Sequence, residues 1–496
     1  MSRDHCTTRT WFYRGVLLCI IAGYGSLMLH GNLHRYADGG ATLDLGIVAQ
    51  ILWNTVHGRP LQTSLAPING SILTEHFNPL YYPLALLYCW REDPRLILIV
   101  QTVIIMLTLI PLWHLASYRL GRPAALCIVG AFAANPVVQY INFFDFHPIT
   151  CTMPLYAAAL YRYYRRDFRR CAFLLFGTLF VDEAACAITA CFGVFLLLHR
   201  HFRFGVWCFA ISVCWFAVII TLIMPFVAGN GSLNYSYNNY FTYLAAPSGA
   251  GKLWYAATHP AVISQQLCNQ TSAGYLFVLF ANFAFLPLVA PSLLVPVFPQ
   301  FVFNLLSDFH DTATIHLHYN ATIVVFLIAG CIAAIRRLGN RLRFRSRPIV
   351  VPLAMFLLVI SGLAHGFDSP LPFLTTRQYL YPGYGEPDRF AHARQLLRLI
   401  PAAASVGTEH KYWAYLAHRP QLYVFWDQHP EAEFYLLDTR ETVVPKIRPT
   451  RADFIAACLA QERYCLLASN DGIVLLQRRP TSPDTATVPP LRDIAR

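Results

Sequence analysis

Apolar positions along this chain come in continuous runs near the bilayer-spanning length of about 20 residues, without the alternation that marks a half-buried strand. The runs cover residues 12–30, 95–116, 123–143, 148–161, 171–198, 204–228, 273–288, 290–307, 318–335 and 349–366. In lipid, every backbone N–H and C=O must be bonded within the chain, so runs of this kind predict helices. Arginine clusters separate them where a soluble core would show turn signals. Arg3, Arg9 and Arg14 precede or open the first run. Arg119 and Arg122 lie after the second, and Arg162, Arg165, Arg166, Arg169 and Arg170 follow the fourth. His199, Arg200, His201 and Arg203 come next, and six arginines lie between Arg336 and Arg347.

Lys and Arg concentrate in cytoplasmic loops. This places the N-terminus inside, the segment 31–94 outside and the C-terminus outside, with about eleven crossings by the run count. The first run is too long for the apolar part of a signal peptide. The run 171–198 has basic residues on both flanks and is too short for two full spans. It therefore predicts a hairpin of two short helices, bent near Asp182 and Glu183. The region 1–366 is expected to form the membrane domain, with a long outer loop at 229–272.

From residue 367 the chain turns polar and the pattern changes. Helices are expected at 388–400, 411–417 and 451–462, and strands at 403–408, 421–426, 433–438 and 464–477. This predicts a small extracytoplasmic α/β domain over 367–479. The Pro- and Thr-containing segment 480–496 predicts a disordered tail. The expected fold is thus an all-α polytopic membrane protein carrying a small C-terminal α/β domain.

Composition agrees. Of 496 residues, 56% are hydrophobic and 13% charged, against about 25% charged in a soluble domain. The net charge of +12 would suit nucleic acid. Here the basic residues occupy short loops between apolar runs, so the implied partner is the bilayer and no nucleic acid is expected. The 14 cysteines are scattered, mostly within apolar runs, as small buried thiols would be.

Candidate chemistry lies mainly in the expected outer segments. On a helix spanning 43–57, Leu45, Val48, Leu52 and Val56 form an apolar stripe, while Gln50, Asn54 and His57 form a polar one. That is the pattern of an interfacial helix. Asp44 falls in its first turn, where it would also complement the helix dipole. His76 follows in Glu75-His76-Phe77-Asn78-Pro79, and Asp145 and His147 in Phe143-Phe144-Asp145-Phe146-His147-Pro148. Asp182 and Glu183 interrupt an apolar run. Ionisable groups at membrane depth are costly and mark functional sites, although a helix cap or a buried ion pair is the plainer use. The loop from Ser307 to Tyr319 holds Asp308, His310, Asp311 and His316. Their spacing matches no zinc pattern, so no metal is firmly implied. Asp oxygens with a histidine would suit Mg²⁺ or Mn²⁺.

Several of these strings are similar to the motifs of a bacterial membrane-protein family, domain of unknown function 2079. They are Asp44-Leu45-Gly46-Ile47 with Gln50, Trp53-Asn54, His57-Gly58 and Pro60; His76-Phe77 with Pro79; Asn135-Pro136; and Phe144-Asp145-Phe146-His147-Pro148. Asn304-Leu305-Leu306 with His318-Tyr319, Ala404-Ser405-Val406, His418-Arg419 and Tyr435-Leu436-Leu437-Asp438 extend the resemblance over about residues 40–440. The stretch Asp182-Glu183-Ala184 departs from it, lacking the basic residue expected there. The family itself resembles the GT-C glycosyltransferases, an analogy of fold.

That resemblance implies transfer of a sugar from a polyprenyl phosphate, at the outer face of a bacterial inner membrane, to an acceptor it does not identify. It implies Asp44 as general base, with Asp145 or Glu183 assisting. His76 and His147 would contact phosphate or acceptor hydroxyls. Gln50, Trp53, Asn54, His57, Asp182, Asn304, His318 and Tyr319 would line the substrate site. Two other readings use the same residues: a transporter or lipid flippase with an acid–histidine relay, and a non-catalytic assembly protein.

Overall fold

The computed structural model describes residues 2–66, 70–229, 240–246, 248–344, 347–370, 386–425, 432–440 and 450–479, with side chains 2–10, 310 and 343–348 excepted. It is mostly helical (70%) and carries a small C-terminal sheet. The chain divides into two compact units. One comprises Met1–Asn32, Leu73–Leu80 and Leu98–Gln378; the other comprises Leu33–Ile72, Tyr81–Ile97 and Tyr379–Arg496.

Among the described residues, five helices are long and apolar enough to cross a membrane: Trp11–Ala37, Arg95–Leu120, Phe202–Ala228, His318–Arg341 and Val350–Phe367. A sixth forms if Arg122–Ala134 and Pro136–Phe143, bent by 47°, count as one span. The bend has a local cause. Pro136 removes a backbone donor and crowds the residue before it, so the helix stops at Asn135. The Asn135 side chain then caps the next piece by accepting from the Val137 N–H at 3.0 Å.

The other apolar runs form shorter elements. Residues 148–161 become Thr152–Tyr164. The run 171–198 breaks into Phe168–Thr178 and Ala184–Leu198, separated at the acids as the flanking charges predict. The stretch 273–307 yields Gln270–Ala281 and Phe298–Leu306, with single 3₁₀ turns at Leu286–Val289 and Pro291–Leu294 between them. Pro287 and Pro291 each deny a continuing helix its N–H.

Burial separates the long helices. His318–Arg341 is largely buried, whereas Phe202–Ala228 and Val350–Phe367 are mostly exposed. The first is a helix surrounded by protein; the others present apolar surface outward, as lipid-facing helices do. The buried helix carries Ala329, Gly330, Ala333 and Ala334, small residues that let neighbours approach. A Cβ on Gly330 would lie 3.1 Å from Pro287.

The second unit contains a five-stranded sheet in the order Leu422–Val424, Val406–Thr408, Phe434–Asp438, Ile473–Arg478, Tyr464–Asn470. The first three are parallel, and the last two pair antiparallel, as a tight hairpin requires. Helices Pro387–Leu397, His410–Leu416 and Arg451–Ala460 accompany it, close to the ranges their patterns predict. Trp413, Leu422, Leu436 and Leu475 are buried in its core. Leu43–Val56 also belongs to this unit. It docks at Gly46, where an added Cβ would lie 2.8 Å from the Ala414 backbone nitrogen.

Candidate functional site

In the first unit, the break before Ala184–Leu198 gathers two acids. One oxygen of Asp182 accepts the Ala184 N–H at 2.8 Å and so caps the helix start. Its other oxygen accepts from the Asn78 amide at 3.0 Å, and that amide also reaches the Val181 carbonyl at 3.2 Å. Glu183 is fully buried. Its Oε2 accepts the Phe77 N–H at 2.8 Å, and its Oε1 lies 2.8 Å from His76 Nδ1. The segment His76-Phe77-Asn78 is thereby fastened along the break. Burial alone would push the His76 pKa down. Glu183 overrides it, aided by Asp182 and Glu75, and raises it to about 9, so the His76 imidazole is cationic at neutral pH.

A second group lies in the turn after Pro136–Phe143. Asp145 is fully buried with φ +65°, a left-handed conformation uncommon outside glycine. The Gln101 side chain holds that turn. Its amide donates to the carbonyls of Ile141 at 3.0 Å, Asn142 at 3.1 Å and Asp145, while its oxygen accepts the His147 N–H at 3.0 Å. The His147 ring stacks on His318 with centroids 3.4 Å apart and planes 8° apart, and Phe144 stacks against both. Burial lowers the His147 pKa to about 4; Asp145 opposes the shift and the His76 charge adds to it. A cationic and a neutral imidazole therefore share one electrostatic neighbourhood, a separation of roles that acid–base sites use.

The loop 307–320 distributes its polar groups differently. Asn304 accepts from Gln300 at 2.8 Å and donates to the Tyr275 hydroxyl at 2.9 Å, which donates to Asn320 at 2.7 Å. Asn304 thus braces the loop. Asp308 accepts from the Thr242 N–H at 2.7 Å, and the hydroxyls of Tyr240 and Tyr319 meet at 3.3 Å. His316 Nε2 lies 3.3 Å from Asp368 Oδ2, and Tyr140 donates to Asp368 Oδ1 at 2.6 Å. Among the described residues, no three His, Cys, Asp or Glu side chains gather to hold a metal. Asp308 and His316 have the partners just given, Asp311 sits in the 3₁₀ turn His310–Ala313, and the His310 side chain lies outside the described residues.

In the second unit, Asp44 lies half-buried in the first turn of Leu43–Val56. The rest of this motif makes structural contacts. Leu45, Val48 and Leu52 are buried within the protein. Gln50 donates to Ser64 Oγ at 2.7 Å and the Arg419 carbonyl at 3.0 Å, and accepts from Thr63 Oγ1 and the Ser64 N–H, both at 2.9 Å. Asn54 donates to the Gln62 carbonyl at 2.9 Å and accepts from Arg59 at 2.7 Å. The Arg59 guanidinium lies over the Trp53 ring at 5.0 Å, and His57 Nε2 lies 3.5 Å from Glu92.

Residues 40–475 match the family model described as "Predicted membrane protein (DUF2079)". The chain belongs to this family. No curated protein matches the chain. Family membership makes this a predicted membrane protein, in accord with its several apolar helices. Within this family member, Asn78, Gln101, Tyr140 and Asp368 are structural partners of the site that sequence reasoning did not select. Gln101 left a usable signal, a polar side chain inside the apolar run 95–116. Asp368 left none: it stands at the polar border of Val350–Phe367, where a carboxylate is unremarked.

Proposed function

We propose that this protein is a membrane glycosyltransferase of the GT-C kind, moving a sugar from a polyprenyl-phosphate donor to an extracytoplasmic acceptor. The observation that supports this best is the His76–Glu183 pair at 2.8 Å beside the His147–His318 stack. A cationic imidazole suits the charge that develops on a leaving phosphate. Neutral imidazoles suit hydrogen bonding to hydroxyls. A single displacement would invert the anomeric carbon. The acceptor hydroxyl needs a proton acceptor, and Asp44 is the one that the family resemblance supplies.

In this reading the protein sits in a bacterial inner membrane with its N-terminus cytoplasmic and residues 367–479 outside. This orientation follows the run count of about eleven crossings, in which 171–198 supplies a pair of short helices. Alkaline-phosphatase fusions after residue 440 are expected to be active, and silence there with an active cytoplasmic reporter overturns the orientation.

The activity is tested by incubating purified protein with a polyprenyl-phosphate-linked sugar and following release of the lipid phosphate. Asp44→Asn keeps the shape and removes the base, so turnover should fall roughly 10²–10⁴-fold. Unchanged turnover removes Asp44 from that role. The buried acid–imidazole pair would also serve a proton-coupled transporter. Proton flux in proteoliposomes without sugar transfer would favour that reading.

A further inference from the structure

Beside the His76–Glu183 cluster, the first unit holds a second acid–imidazole pair built in a different way. His316 Nε2 faces Asp368 Oδ2 at 3.3 Å, and the Tyr140 hydroxyl fixes the other carboxylate oxygen at 2.6 Å. The Tyr140 ring meets the His316 ring edge to face, with centroids 4.5 Å apart. The carboxylate is thus anchored on one oxygen and directs the imidazole with the other. The His316 side chain is 37% exposed, and its Nδ1 has no hydrogen-bond partner among the described residues. An imidazole with one nitrogen on an anchored carboxylate and the other without a partner among the described residues is the arrangement of a general base oriented by a third group.

The neighbouring histidines are less suited to that task. His76 directs Nδ1 at Glu183 as an ion pair. His147 and His318 cover one another's faces at 3.4 Å. Loop 307–320 puts His316 and His318 two residues apart, the first on Asp368 and the second on His147.

We infer that His316, positioned by Asp368 and Tyr140, is the proton acceptor for the incoming hydroxyl, a rival to Asp44; the inference rests on the glycosyl-transfer reading. In the step, the acceptor O–H gives its proton to His316 Nδ1. Its oxygen bonds to the anomeric carbon. The carbon–oxygen bond to the donor phosphate breaks, and the phosphate leaves with the electron pair. Asp368 stabilises the imidazolium that forms.

The test uses purified full-length protein with a polyprenyl-phosphate-linked sugar. His316→Ala is expected to lose roughly 10²–10⁴-fold in turnover and to regain part of it on addition of free imidazole, as a missing base does. Asp368→Asn is expected to lower kcat with little change in KM. Unchanged turnover in His316→Ala, or loss without imidazole rescue, overturns the assignment. Native protein that transfers no lipid-linked sugar defeats the glycosyl-transfer reading instead. The dyad is then judged without substrate, by the rate at which diethylpyrocarbonate acylates His316. Slower acylation in Asp368→Asn supports a carboxylate-directed imidazole, and equal rates refute it.

Discussion

His76 and Glu183, 107 residues apart in the chain, meet through an imidazole–carboxylate contact of 2.8 Å. The contact joins the loop His76-Phe77-Asn78 to the break between two short apolar helices. It also accounts for a fully buried glutamate within a mostly apolar segment.

Glu183→Ala should destabilise the first unit. The substitution removes the Glu183 contact of His76 and leaves the buried Phe77 N–H without its acceptor, which costs about 1–3 kcal/mol. Glu183→Gln keeps an acceptor for Phe77 and should melt between Ala and native. Thermal unfolding of the three proteins in detergent checks the order; equal melting temperatures would count against it.

His76 carries a pH signature. Its folded-state pKa, about 9, lies above the ordinary histidine value of about 6.5. A group whose pKa is raised by folding contributes stability that is complete below its unfolded pKa and disappears as pH rises through its folded one. Melting temperature should therefore fall between about pH 6.5 and 9. In His76→Gln that decline should flatten, and an identical pH profile in the variant would refute the coupling.

Gln50 should behave as a structural residue. Gln50→Ala removes the acceptor of Thr63 and Ser64 and the donor to the Arg419 carbonyl, within a buried site, at a cost of about 1–3 kcal/mol. Limited proteolysis should then cut near residues 60–66 faster than in native protein. A variant that resists protease normally yet fails to bind substrate would return Gln50 to the binding residues.

Gly46→Val tests the docking of Leu43–Val56. Even a Cβ at this position comes within 3.0 Å of the Trp413–Ala414 backbone, which cannot swing aside as a side chain can. Overpacking of this kind costs typically about 1–3 kcal/mol. A lowered melting temperature is expected, and wild-type stability would show that the helix and His410–Leu416 separate readily.

The placement of apolar runs and arginines already specified a helical membrane protein, because a lipid-embedded backbone has few ways to satisfy its hydrogen bonds. The break at Asp182-Glu183 and the small sheet were legible for similarly local reasons, charge within an apolar run and alternation within a polar one. Pro287 and Pro291 marked the interruption of 273–307, but whether the chain continues as a helix or as single turns depends on what packs beside it.

Partnerships were not legible. Nothing local in Gln50 distinguishes a substrate contact from a clamp on Ser64 and Arg419, since an amide does either equally well. Nothing local in His316 announces Asp368, 52 residues onward, or in His147 the stacked ring of His318. Sequence periodicity reports which face of an element is apolar, so it determined the class of protein and the location of most helices and strands. Hydrogen bonds and ion pairs between distant residues depend on ångström-scale placement by the packing of many elements at once, so only the tertiary structure decided which polar groups brace the fold and which gather as a site.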